Sequence, residues 1–261
     1  MWDFEHGGAA QHFDISYTLP SQCAAQLAAG TADIGVIPSA AYTAVPNLVV
    51  FPGVAIASKQ AVRSILLVSK LPLEEIKTVG LDTSSLTSVA LTKVLFEKWW
   101  GGGRQFVSKE PNLERMLRDC DAGLLIGDPA LQVDRSQYVT YDLAEEWIRL
   151  TGKPFVFAFW AMRQDAVSLV PASFDLPATF QKSRDHGLEP RNLDQIAAEW
   201  APRTGLSEGA VKGYLTENIY YELDPECLEG LYLFYKYAVD CKALSAAPSL
   251  CLFDADKPAV I

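Results

Sequence analysis

Apolar positions change their spacing along the chain. Through the first 160 or so residues, short apolar runs rich in β-branched residues alternate with stretches whose apolar positions recur every three or four residues. ADIGVIPS, LVVFPGVAIAS, VRSILLVSK, IKTVGL and AGLLI read as strands, most of them closed by a Pro, Gly or Ser turn. Between them, SQCAAQLAA predicts a helix that Ser21 caps and Gly30 stops, and the stretch after the hydroxyl-rich LDTSSLTS predicts another. Helices are also expected near Asn112–Arg118 and over DLAEEWIRL, with Gly152 as the stop. At the start, Met1–Gly8 reads as the tail of a helix and FDISYTLP as a strand. From Gln164 onward NLDQIAAEWAPRTG, SEGAVKGYLTENI and PECLEGLYLFYKYAVDCKAL each carry an apolar stripe at helical spacing.

Strand, helix and strand within about thirty residues is a βαβ unit. Several in succession, followed by helices, predict an α/β protein with a mostly parallel sheet and a helical C-terminal part. Two apolar runs, Ile65–Val68 and Phe155–Trp160, bracket the middle units. Taken as connecting strands, they divide the chain into one lobe of residues 1–71 plus 160–261 and a second of residues 72–159. Two lobes joined by two crossings leave a central cleft, faced by the carboxyl ends of strands where ligands of open α/β sheets bind.

Composition narrows the partners. A formal net charge of −10 argues against a general nucleic-acid binder, yet leaves room for a small anion held by backbone amides. No apolar run approaches a membrane span, so no membrane partner is expected. MWDFEHGGAAQHFD has neither the basic nor the apolar region of a signal peptide, which predicts a cytoplasmic protein. Cys23, Cys120, Cys227, Cys241 and Cys251 form no CxxC pair and fit free thiols. His6, His12 and His186 lie far apart, so no metal site is expected.

The chemistry-bearing candidates are mostly neutral. Thr83, Ser84, Ser85, Thr87 and Ser88 crowd the junction of a strand and a helix. One hydroxyl suffices as a cap; the others either bind an anion beside the helix dipole or are a solvated turn. Gly127 and Asp128 follow the strand Ala122–Ile126, where Asp128 is either a functional carboxylate or an Asx-turn residue. Ser39 ends one strand and Ser64 begins another, with strand alternation placing Arg63 and Ser64 on opposite faces. TGLSEGAVKGYL has the outline of a helix-turn-helix, but its second helix offers only Lys212 as a cation, so helix packing is the expectation. No phosphate loop, GxSxG elbow or HExxH motif occurs. Many neutral hydrogen-bonding groups and few acids or bases point to a binding protein, or to an enzyme that asks little of side-chain acids and bases.

GTADIGVIPSAAY, VVFPGVAIAS, VRSILLVSK, LDTSSLTSVAL, AGLLIGDPAL and TGKPFVFAFWAMR resemble, in that order, the motifs of the chorismate dehydratases of the futalosine route to menaquinone. The resemblance covers residues 10 to 165 closely and the helical tail loosely. It implies the two-lobed fold of type II periplasmic binding proteins, a cytoplasmic location, and conversion of chorismate to 3-[(1-carboxyvinyl)oxy]benzoate and water without a cofactor. By position, it makes Ser64 the substrate-contacting serine of the crossing strand and Thr83–Ser88 the loop that grips a substrate carboxylate. Ser39 and Gly127–Asp128 match segments lining the cleft. Two departures stand out. Leu86 replaces an arginine frequent in the family, and the family's first strand and its asparagine-bearing loop would lie upstream of Met1, as if an internal Met were taken as the start. The alternatives are a solute-binding protein for a small carboxylate, and the sister enzyme 1,4-dihydroxy-6-naphthoate synthase, whose histidine base has no counterpart mid-chain. Oligomeric state is left open.

Overall fold

The computed structural model describes residues 1–254. Its strands are β1 (Ile34–Pro38), β2 (Leu48–Ser58), β3 (Ile65–Ser69), β4 (Thr78–Asp82), β5 (Gln105–Lys109), β6 (Ala122–Ile126), β7 (Val139–Asp142) and β8 (Phe155–Arg163). Its α-helices are α1 (Trp2–Glu5), α2 (Pro20–Ala29), α3 (Leu86–Lys98), α4 (Leu113–Asp119) and α5 (Asp128–Leu131), then α6 (Leu143–Thr151), α7 (Leu176–Gly187), α8 (Pro190–Thr204), α9 (Glu208–Gly213) and α10 (Pro225–Asp240). None of these helices is long and apolar enough to cross a membrane.

The strands form two sheets, one of order β1-β8-β2 and one of order β5-β4-β6-β3-β7. The expectation of mostly parallel pairing is corrected here. β4 runs parallel to β5 and β6, but β8 is antiparallel to both its neighbours, as is β3 to β6 and β7. β3 and β8 are the strands by which the chain enters one sheet from the other, so each runs back against its new neighbours. The change-overs fall between Ser58 and Ile65 and between Asp142 and Phe155, ahead of the divisions at 71/72 and 159/160 expected from sequence.

Three local readings also change. FDISYTLP is no strand: Phe13 and Ile15 pack on the cluster around Phe4 and Phe180, but the segment pairs with no sheet among the described residues. The helix after it begins at Pro20, whose fixed φ suits the first helical position, so Ser21 lies inside the helix and caps nothing. The stretch SEGAVKGYLTENI forms only the short α9, followed by one π-helical turn over Tyr214–Asn218.

One apolar core runs through both lobes, holding Ile37 and Ala57 of the first sheet with Leu67 and Leu81 of the second. Helix α10 bridges them: the Phe234 ring lies 4.9 Å from Phe155 and 6.1 Å from Trp147, centroid to centroid. Gly230 permits the approach, because a Cβ there would come within 2.2 Å of the Pro154 carbonyl oxygen. The lobes are therefore fixed to one another by packing at the second crossing.

Candidate functional site

The neighbours β4, β6 and β3 bring three chain segments to one edge of the five-stranded sheet. β4 ends at Asp82, β6 ends at Ile126, and β3 begins opposite it, Ile65 pairing with Ile126. With strands about 4.8 Å apart, the hydroxyl loop, the Gly127–Asp128 turn and Ser64 stand side by side. Asp82, buried, accepts the Ser84 amide at 2.9 Å and so turns the chain out of the sheet. Ser85 then caps α3, accepting the Ser88 amide at 3.3 Å. The next two amides, of Leu86 and Thr87, have no acceptor among the described residues and carry the positive end of the α3 dipole. Gly127 takes φ +70°, and its amide donates to the Ser64 carbonyl at 2.7 Å. Thr83 and Asp128 are exposed, and neither side chain has a hydrogen-bond partner among the described residues.

Two hydroxyl contacts cross this edge. Ser39, at the end of β1, places its Oγ 3.4 Å from Thr87 Oγ1 and donates to the Val156 carbonyl at 2.8 Å. Thr87 Oγ1 also accepts the Ala40 amide at 3.0 Å, and the Tyr235 hydroxyl donates to the Ser39 carbonyl at 2.7 Å. Both hydroxyl residues are 0% exposed. The other contact is between Ser64 and Tyr214, whose hydroxyl donates to Ser64 Oγ at 3.0 Å. Burial pushes the Tyr214 phenol above its ordinary pKa, against the pull of Ser64, so it stays a neutral donor.

Ser64 is held from both sides. Asp142, the N-cap of α6, accepts the amides of Ala144 and Glu145 and also those of Val62 and Arg63, at 2.6 to 3.2 Å. Burial pushes its carboxyl pKa up, while these amides pull it down. That grip holds Arg63 at φ +64°, a left-handed conformation uncommon for a side-chain-bearing residue. Two-fold strand alternation therefore does not carry through Arg63 and Ser64, and the assignment of opposite faces made from sequence has no basis there.

The C-terminal part closes the site. The Asn218 side chain donates to the Ala61 carbonyl at 2.8 Å, and Gln60 donates to the Glu217 carbonyl. Tyr220 exchanges two backbone hydrogen bonds of 2.8 Å with Ala57, and the Ala55 amide reaches the Tyr221 carbonyl. Tyr221 of this strap lines a cavity of about 310 Å³ walled also by Trp2, Val36, Trp160, Phe180 and Leu193, to which none of the eight sequence candidates contributes. Burial pushes the Tyr221 phenol far above its ordinary pKa, with Tyr214 adding to the rise. Its hydroxyl has no hydrogen-bond partner among the described residues.

All eight sequence candidates, Ser39, Ser64, Thr83, Ser84, Ser85, Thr87, Gly127 and Asp128, thus gather around one edge. Ser39 and Thr87 are buried there in mutual and backbone contacts and Ser64 in its contact with Tyr214, while Thr83, Ser84, Ser85, Gly127 and Asp128 keep some exposure. Sequence reasoning did not single out Tyr214, Tyr221 or Asp142. The cluster YLTENIYYE was the available signal for the tyrosines, hidden within an apparently continuous helical stripe. The three histidines lie elsewhere, His186 against Asp3, His12 against Phe174 and His6 against Trp2.

Comparison with known proteins gives this architecture a family. Residues 1–240 match the family described as menaquinone biosynthesis. The chain belongs to that family. The chorismate dehydratase of Thermus thermophilus is 28% identical to this menaquinone biosynthesis family member over 234 residues, 83% of each chain. Among solved structures, the periplasmic aliphatic sulphonate-binding protein SsuA of Escherichia coli superimposes with a TM-score of 0.64 at 15% identity, covering 90% of this chain and 79% of that one. The Candida albicans CA3427 product, described as having the generic periplasmic binding protein fold, matches at TM-score 0.54 and 15% identity over 93% and 88% of the two chains. These two likenesses concern the fold alone: the family member has the two-lobed periplasmic-binding-protein architecture.

Proposed function

We propose that this family member is a carbon–oxygen lyase that removes water from chorismate, giving 3-[(1-carboxyvinyl)oxy]benzoate for menaquinone biosynthesis. The observation that carries the reading is the meeting, at one sheet edge, of two unpaired helix amides with the Ser64–Gly127 pair. A ligand with a carboxylate asks for those features: amides at a helix start for the anion, and hydroxyls beside them for its neutral oxygens. The relationship to a chorismate dehydratase supports the substrate. In this reading the amides of Leu86 and Thr87, with Thr83, Ser84 and Ser85 around them, hold one of the two carboxylates. Ser64 contacts the reacting end, and Gly127–Asp128 closes the side.

The reaction is redox-neutral and forms an aromatic ring, so much of its driving force lies in the product. A base must still take the proton from the ring carbon that bears the enolpyruvyl arm. Asp82 and Asp142 are engaged with backbone amides. The arm's own carboxylate is the better base, since it is delivered to that carbon by the substrate itself.

Turnover of chorismate followed by mass spectrometry tests the reading. Loss of one water is the expected result. Unchanged chorismate together with saturable binding of aromatic dicarboxylates overturns it in favour of a solute-binding protein. An analogue whose arm ends in a neutral group should bind and not react; turnover of that analogue would remove the arm carboxylate as base.

A further inference from the structure

The carboxylate of Asp142 does more than cap a helix. Its two oxygens have different partners. Oδ1 accepts the amides of Ala144 and Glu145, at 3.1 and 3.2 Å, and that of Val62 at 3.0 Å. Oδ2 accepts one amide, that of Arg63, at 2.6 Å. Capping α6 needs only the first oxygen, and an asparagine would supply it as well. The second oxygen serves Arg63. Val62 and Arg63 lie in the first crossing between the sheets, and Asp142 opens the second. One side chain, 5% exposed, thus ties the two crossings together.

Arg63 needs that tie. Three non-glycine residues among those described take a positive φ: Asn47, Arg63 and Lys242. Asparagine tolerates the left-handed region, and Lys242 follows the end of α10, where helices commonly use it. Arg63 belongs to neither case, and its side chain makes no hydrogen bond or ion pair among the described residues that would hold it there. Its backbone is held instead, the amide by Asp142 Oδ2 and the carbonyl by the Arg135 guanidinium at 3.4 Å. A conformation of this kind persists only where its surroundings over-determine it. Directly after it stands Ser64, whose carbonyl accepts the Gly127 amide and whose hydroxyl accepts Tyr214. Relaxation of Arg63 to an ordinary backbone angle would turn Ser64 out of that place. We infer that Asp142 is a positioning residue for the dehydration: through Oδ2 it keeps Arg63 left-handed and so fixes where Ser64 presents its hydroxyl to the substrate. This rests on the dehydratase reading. Asp142 neither gives nor takes a proton in the reaction.

Asp142→Asn separates the two oxygens. The remaining Oδ1 keeps the α6 cap and Val62, while the new amide nitrogen is a donor and cannot accept the Arg63 amide. The expected result is a fall in kcat of about 10- to 100-fold per folded molecule. Affinity for the dehydrated product, which lacks the departing hydroxyl, should be kept. Adding Arg63→Gly should restore most of the lost kcat, since glycine takes a positive φ without a clamp. On a Ser64→Ala background Asp142→Asn should lower kcat little further, because both changes act on one hydroxyl. A helix cap with no bearing on Ser64 would give a lower thermal midpoint with kcat unchanged, and that result overturns the inference. So does a loss that Arg63→Gly leaves in place, or one that persists in full on Ser64→Ala. Each of these leaves the dehydratase reading standing. A wild-type chain that does not dehydrate chorismate overturns both.

Discussion

The two hydroxyl contacts across the cleft, Ser39 with Thr87 and Ser64 with Tyr214, use the same chemistry in different surroundings. At Ser39–Thr87 both side chains are fully buried, and three backbone groups, the Val156 carbonyl, the Ala40 amide and the Ser39 carbonyl, join the network. Ser64 is also buried, 4% exposed, but among the described residues its Oγ has the Tyr214 hydroxyl as its one partner and no backbone group. A hydroxyl whose neighbours are all satisfied fixes one lobe on the other. A hydroxyl with unsatisfied neighbours has capacity left for a ligand. Density of serine and threonine in a sequence says how many such groups exist; only the fold says which kind each becomes.

The largest expected effect tests the open side. Ser64→Ala should lower kcat/KM for chorismate by about 100-fold, while urea midpoints stay close to wild type because Tyr214 can turn to water in the cleft. On the closed side, Thr87→Val should do the reverse. The buried Ala40 amide loses its acceptor, and the structure loses about 2 kcal/mol of stability by urea unfolding. Turnover by the folded fraction should stay within a few-fold, since the Thr87 amide is untouched. If Thr87→Val instead abolished turnover without loss of stability, the division between the two contacts would fail.

The closed and open sides also differ in how far the sequence discloses them. Ser39, Ser64 and the Gly127–Asp128 turn lie at strand ends that apolar runs and turn residues mark directly, and Thr87 opens the helix that follows the end of β4. The location of the edge was therefore readable. Which sheet β3 and β8 join was not, because an apolar strand reads the same whichever lobe its neighbours belong to and whichever way they run. Hydrogen bonding between segments distant in sequence decided it, as it decided that FDISYTLP has no sheet partner. Tyr214 and Tyr221 were hidden for a similar reason. Their helical spacing is that of packing residues, and the turn from α9 into a π-helical segment, which redirects them, has no sequence signature of its own.

Asp128→Asn gives a smaller effect and sharpens the open side. Asp128 is exposed at the edge, its carboxylate has no hydrogen-bond partner among the described residues, and it lies close enough to influence Tyr214. It is the rival to the arm carboxylate as base. If the arm takes the proton, Asp128→Asn should change kcat less than tenfold, and removal of one negative charge should slightly tighten binding of a dicarboxylate. A loss of a thousandfold or more, with binding retained, would identify Asp128 as the base.

The smallest effect concerns how the open side is braced. Asp224 caps α10 through the Cys227 amide and also accepts the Tyr220 hydroxyl and Lys59, which belongs to the crossing from β2 to β3. Burial acts to raise its pKa, but the Lys59, Cys227 and Tyr220 hydrogen bonds outweigh that and hold it at about 2. A carboxylate with a depressed folded pKa contributes its full stabilisation above the ordinary carboxylate value and loses it as the pH falls toward the folded one. The strap carrying Tyr221 should therefore loosen between about pH 4 and pH 2. Asp224→Asn should remove that part of the acid dependence and cost about 1 kcal/mol or less at neutral pH, since Lys59 is partly exposed and screened. Amide exchange read at Ala57 and Tyr220, against Ala40 as the control on the closed side, separates the two contacts: the strap amides should exchange faster in the variant and Ala40 should not. Equal acceleration at all three would mean that Asp224 braces the whole molecule and has no special bearing on the open side.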